Sequence, residues 1–211
     1  MTKLKKFFSD PGYYSYVVLT RILRLKLGPT LVSSSDDLRS DTDNGRFLAA
    51  VQKSLGNQRH FDQFKRSFAH RDVWEHVGKE EGGEYLKMLQ GRSDGLLDSA
   101  LKSVLLSDQV GNPRKYQYGQ DLPPLSPTTL RYVKVASDLK LLFGEELGDV
   151  AEIGCGYGGQ ALVNDHLLSV KSARLFDLPE VNRLVDRYLN YNVLQGAFFT
   201  TTINNEVPKP Y

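Results

Sequence analysis

Apolar positions recur at three- and four-residue spacing through the first ~145 residues and then condense into short runs separated by helical stretches. The pattern predicts a helical N-terminal region followed by alternating strand and helix. Tyr13 to Leu27 is a helical run stopped by Gly28-Pro29, and Ser33 to Asp37 reads as a polar loop or cap. Asp43 or Asn44 opens a helix with Phe47, Leu48, Val51 and Leu55 on its apolar side, ending at Gly56, and Phe61, Phe64 and Phe68 continue the helical spacing. After Gly82-Gly83, Tyr85, Leu86 and Leu89 mark a short helix. Leu96, Leu97, Leu101, Val104 and Leu105 mark another, closed before Gly111-Asn112-Pro113.

Residues 111 to 126 are rich in Gly, Pro and Tyr and read as a linker, so the chain divides into a helical region, 1–125, and an α/β region, 126–211. Ser126 as N-cap and Pro127 at the first helical position start a helix expected to bury Leu130, Val133, Leu139, Leu142 and Phe143 before Gly144. The period then changes. Val150 to Ile153 is a short apolar run ending in glycines, as expected of a buried parallel strand feeding a tight turn. A helix through Ala161, Leu162 and Leu168 follows, then a second strand, Ala173 to Phe176, closed by Asp177. Pro179 starts an amphipathic helix whose Val181, Leu184, Val185, Tyr188 and Leu189 share one face, and Ala197 to Thr201 reads as a third strand.

Composition narrows the function classes. At 40% hydrophobic and 25% charged residues the 211-residue chain can bury a sizeable core. Its net charge of +2, from 27 basic and 25 acidic side chains, is too balanced for a nucleic-acid partner, which demands a concentrated basic face. The single cysteine, Cys155, forms no intramolecular disulfide and fits a reducing, cytoplasmic setting. No run reaches the roughly 18 apolar residues of a membrane span. Lys3, Lys5 and Lys6 ahead of Tyr13 to Leu19 leave room for weak peripheral contact with a membrane surface. A helix packed on its own domain is the simpler reading.

Chemistry concentrates where the strands begin. Gly154, Gly156, Gly158 and Gly159 lie between a strand and a helix, where the chain must turn sharply and let a ligand approach bare backbone. Gly154-x-Gly156-x-x-Gly159 also satisfies a dinucleotide fingerprint, with Asp177 as its ribose acid, so the glycines alone admit a nicotinamide-dependent oxidoreductase. Glu152 separates the two readings, with a purely structural turn around a satisfied Glu as the third. A carboxylate at the end of a buried strand is expensive without donors, and the dinucleotide fold usually places a small or apolar residue there. An acid two residues before the first glycine is the methyltransferase arrangement. Asp177, at the carboxyl end of the neighbouring strand, can accept two hydrogen bonds from vicinal ribose hydroxyls, or act only as a cap for the helix at Pro179. His60, His70, His76 and His166 lack metal-ligand spacing and read as surface or helix-face histidines, and Trp74, Tyr116 and Tyr118 as packing residues. Arg131 and Tyr132 could close over a cofactor, since their helix leads into the first strand.

The block Glu152-Ile153-Gly154-Cys155-Gly156-Tyr157-Gly158-Gly159-Gln160, with Phe176-Asp177-Leu178-Pro179-Glu180-Val181 and Ser126-Pro127-Thr128-Thr129-Leu130-Arg131-Tyr132, resembles the sugar O-methyltransferases of bacterial surface-polysaccharide pathways. The resemblance is clearest from about Gly111 onward. It implies a Rossmann-like fold binding S-adenosyl-L-methionine, with Glu152, Gly154, Gly156, Tyr157 and Gly158 at the methionine end and Asp177 and Leu178 at the ribose. The acceptor it implies is a sugar, free, nucleotide-linked or in a glycan. Such proteins use a seven-stranded sheet with strand 1 in the middle, whereas three strands are legible here. The expectation is therefore an incomplete, inactive portion, with a sheet edge open to self-association and no assignable catalytic base. A non-catalytic truncated chain is the alternative outside enzymes.

Overall fold

The computed structural model describes residues 45–71, 73–103, 108–192 and 194–202. The helix expected over Tyr13 to Leu27, the Ser33 to Asp37 loop, and Val104 and Leu105 lie outside them. Helix α1 (Arg46–Gly56) ends where Gly56 was expected to end it. The phenylalanine run that follows is not one continuous helix. It breaks into α2 (Gln58–Phe61), a 3-10 turn (Phe64–Arg66) and α3 (Phe68–Arg71), burying Phe61 and Phe64 and leaving Phe68 59% exposed.

Helix α4 (Lys79–Gln90) runs straight through Gly82-Gly83 rather than starting after it. The glycine serves packing here. A Cβ on Gly82 would collide with the Tyr118 hydroxyl and lie 2.8 Å from Pro127 Cβ, so its absence lets the 111–126 loop and the next helix close on α4. Helix α5 (Leu96–Ser103) buries Leu96 and Ala100. Helix α6 (Pro127–Phe143) begins as expected, with the Ser126 hydroxyl accepting from the Thr129 N–H at 3.4 Å. Its burial stops at Ser137, and the last turn runs clear of the core, so Leu142 and Phe143 are 70% and 68% exposed rather than buried.

The C-terminal portion is α/β: β1 (Glu146–Ile153), α7 (Gly159–Leu167), β2 (Ser169–Asp177), α8 (Pro179–Leu189) and β3 (Ala197–Thr202). The strands form a parallel sheet in the order β1-β2-β3, with Glu152 beside Leu175, Ile153 beside Phe176 and Asp177 beside Thr202. Both crossovers are helical, as parallel neighbours require. All five apolar positions read into α8 are buried, and each such side chain contributes about 1.5–3 kcal/mol.

β1 is not buried as expected. Among the described residues it has a partner on one side only, and Ile153 is 80% exposed. Register places Ile153, Arg174 and Phe199 on one face of the sheet, and all three are exposed, while Ala173 and Leu175 on the other face are buried. The helices cover one face.

The 125/126 junction does not separate two cores. One cluster joins Val51, Phe61, Phe64 and Trp74 to Tyr157, Leu175, Leu184 and Tyr188, and a second joins Leu86, Leu89 and Leu96 to Leu130, Val133 and Val163.

Candidate functional site

The carboxyl ends of β1 and β2 meet at the glycine turn. Gly154, Gly156 and Gly158 adopt φ of +71°, +57° and +84°, a left-handed backbone that side chains resist. Gly156 is constrained twice, because a Cβ there would lie 2.8 Å from Trp74 Nε1. A Cβ on Gly154 would meet nothing within 4 Å, so the turn is open on that side. The turn is pinned to β2: Gly154 and Cys155 donate their N–H groups to the Phe176 carbonyl at 2.8 and 3.4 Å, and Gly158 N–H closes on the Cys155 carbonyl at 3.0 Å. Gly158 is the N-cap of α7 and supplies no capping side chain, which leaves that helix start suited to a polar or anionic ligand group.

Two carboxylates flank this turn. Asp177 Oδ2 accepts the Gly156 N–H at 2.9 Å and Oδ1 accepts the Leu178 N–H at 2.8 Å. Leu178, not Asp177, is the N-cap of α8, and no side chain caps that helix, so the simple capping reading of Asp177 gives way to a brace across both βα turns. Each oxygen keeps a further lone pair for a ligand hydroxyl. Glu152 is half-buried, and among the described residues its carboxylate accepts no hydrogen bond. Burial first, and the Asp177 charge second, push Glu152 up to about 7. Burial likewise raises Asp177, opposed by its two N–H donors. A half-buried acid with no donor is the kind of unmet need a ligand fills.

Beneath the turn, Tyr157 contributes its backbone to the loop while its ring is 2% exposed, packed edge-on to Phe64, Trp74 and Tyr188 at centroid distances of 5.3, 5.4 and 5.1 Å. Its hydroxyl donates to Glu75 Oε1 at 2.9 Å. Lys65, 2% exposed, places its ammonium 4.8 Å from both the Tyr157 and Tyr188 ring centroids and donates to the Tyr188 hydroxyl at 3.3 Å. Burial lowers Lys65 and raises Glu75, each opposed by the other's charge.

Sequence reasoning missed Lys65 and Glu75, because contacts of 82 and 123 residues' separation leave no local spacing to detect. It also misplaced His70, which is fully buried, stacked on Trp74 at 4.9 Å, with Nδ1 donating to the Phe64 carbonyl at 2.8 Å. Trp74 is core, as read. Tyr132 packs against Tyr157, while the Arg131 guanidinium lies 3.2 Å from His76 Nε2. Among the described residues no group of three or more His, Cys, Asp or Glu is placed to hold a metal ion, and no helix is long and apolar enough to cross a membrane.

Comparison with protein families, with curated proteins and with solved structures returns no match to this chain.

Proposed function

We propose that this chain binds the cofactor of an S-adenosylmethionine-dependent O-methylation of a sugar hydroxyl in the cytoplasm. The observation that carries the cofactor choice is Glu152, an acid with no donor among the described residues, beside an open glycine turn and a second acid. Asp177 suits the ribose of either ligand, but a carboxylate at Glu152 repels the pyrophosphate that a dinucleotide would bring to the turn. It attracts a ligand that brings an ammonium and a sulfonium instead. Glu152 and the Gly154–Gly158 backbone would hold the methionine end, and Asp177 with the Leu178 backbone the ribose.

When bound, that cofactor supplies an electrophilic methyl group for in-line displacement by an acceptor oxygen. The contribution of the residues described here is orientation: they fix one reactant so that the second meets it in line. The base that takes the hydroxyl proton is not assigned to any of them. The sugar acceptor follows from the resemblance; no nucleic acid is proposed as a partner, and weak peripheral contact with a membrane surface is the only membrane association proposed. A tritiated-methyl transfer assay across sugars, nucleotide sugars and small phenolics tests this class. Label on a sugar is expected, and label only on phenolics would move the chain to the methyltransferases of phenolic compounds.

A further inference from the structure

The cluster under the glycine turn has a composition that stability alone does not explain. An aromatic core of Phe64, Trp74, Tyr157 and Tyr188 would pack without charges, yet it contains Lys65 at 2% exposure and receives the Glu75 carboxylate. Charged groups set into a core are often no more stabilising than apolar replacements of similar volume, and their best-attested use is to specify one geometry. The geometry specified here is that of the turn. Tyr157 sits between Gly156 and Gly158, so fixing its ring fixes the backbone on either side. Its hydroxyl is held by Glu75 at 2.9 Å, its face by the Lys65 ammonium at 4.8 Å, and its edge by Trp74, which also walls Gly156. All three holders come from residues 65–75, in the helical region.

We propose that Glu75 is a positioning residue for the glycine turn: through the Tyr157 hydroxyl, with the Lys65 ammonium against the same ring, it holds Gly156 and Gly158 in the left-handed backbone that receives the cofactor. The role of the turn rests on the S-adenosyl reading; the holding of the turn does not. The helical region is thereby part of the cofactor site, although among the described residues nothing would lie within 4 Å of a Cβ on Gly154 at the open side of the turn.

The test uses the full chain with four variants: Glu75→Gln, Glu75→Ala, Tyr157→Phe and the Glu75→Ala/Tyr157→Phe double. Gln keeps an oxygen to accept from Tyr157, Ala does not, and Phe keeps the ring while losing the donor. Two readouts separate the claims. The first is amide hydrogen exchange in the ligand-free protein at residues 154–158, with the β2 amides as the control for global opening. Exchange in the turn should rise about tenfold in Glu75→Ala and Tyr157→Phe, the size of one hydrogen bond to a charged group, while β2 stays protected. The double variant should equal the worse single, and Glu75→Gln should stay near the parent. The second is S-adenosylhomocysteine affinity, followed by the fluorescence of Trp74, the only tryptophan. It should fall about tenfold in the same two variants and recover in Glu75→Gln. Turn exchange unchanged in Glu75→Ala and Tyr157→Phe, or rising only in step with β2, overturns the positioning role whatever the binding result. Altered turn exchange with no parental binding of S-adenosylhomocysteine supports the positioning of the turn and overturns the cofactor reading instead.

Discussion

At the scale of single residues, half-buried Glu152 and buried His70 give opposite pH signatures. Glu152 ordinarily titrates at 4.5 and is raised to about 7. Between those values the folded chain binds the extra proton, so its contribution to stability falls as pH rises, reaching a loss of about 3 kcal/mol above pH 7. His70 is lowered from 6.5 to about 4 by burial, so between those values the unfolded chain binds the extra proton. Its contribution is full above pH 6.5 and is lost, also by about 3 kcal/mol, as pH falls toward 4. Urea unfolding across pH 4–8 separates them. Glu152→Gln should match the parent at pH 4 and gain stability progressively to pH 8. His70→Asn, which keeps a donor for the Phe64 carbonyl, should be less stable at high pH but lose the decline between 6.5 and 4. A Glu152→Gln curve parallel to the parent's would mean that Glu152 already has a partner. His70 also marks a limit of legibility. A lone histidine at helical spacing looks the same whether it faces water or Trp74, and only the tertiary fold decides.

At the scale of elements, α8 was fully legible and β1 was not. The α8 stripe repeats over three turns, and any partner will bury it; β1 has eight residues whose burial depends on what lies across and beside them. Gly82-Gly83 misled for a related reason: glycine breaks helices on average, but here it admits Tyr118 and Pro127. The join between α8 and α1 carries a definite energy. The Arg187 guanidinium donates to the Ser54 and Leu55 carbonyls at 2.8 and 2.7 Å, satisfying C-terminal groups of α1, and stacks 4.2 Å from the Phe61 ring centroid. Arg187→Ala should cost roughly 2 kcal/mol in urea unfolding, and Arg187→Lys should recover only part, because an ammonium lacks the second nitrogen that donates to Gln58 Oε1 and the planar group that stacks on Phe61. A loss under about 0.5 kcal/mol, the level of an ordinary surface change, would show that the contact contributes little.

At the scale of the whole molecule, the outer edge of β1 and the face bearing Ile153, Arg174 and Phe199 are open among the described residues. Unpaired strand edges invite pairing with another chain. Sedimentation of the 211-residue chain should therefore show concentration-dependent association, reduced by Ile153→Lys; a monomer at all concentrations would contradict it. The order of elements and the glycine turn were readable because each is local. The union of helical and α/β regions into shared cores was not, since it depends on pairs such as Glu75 with Tyr157. Calorimetric titration with S-adenosylhomocysteine and with NAD tests the ligand of that turn most directly. The expected result is saturable, weak binding of S-adenosylhomocysteine, lost in Glu152→Ala, with no heat from NAD. Saturable NAD binding with none for the sulfur ligand would contradict it.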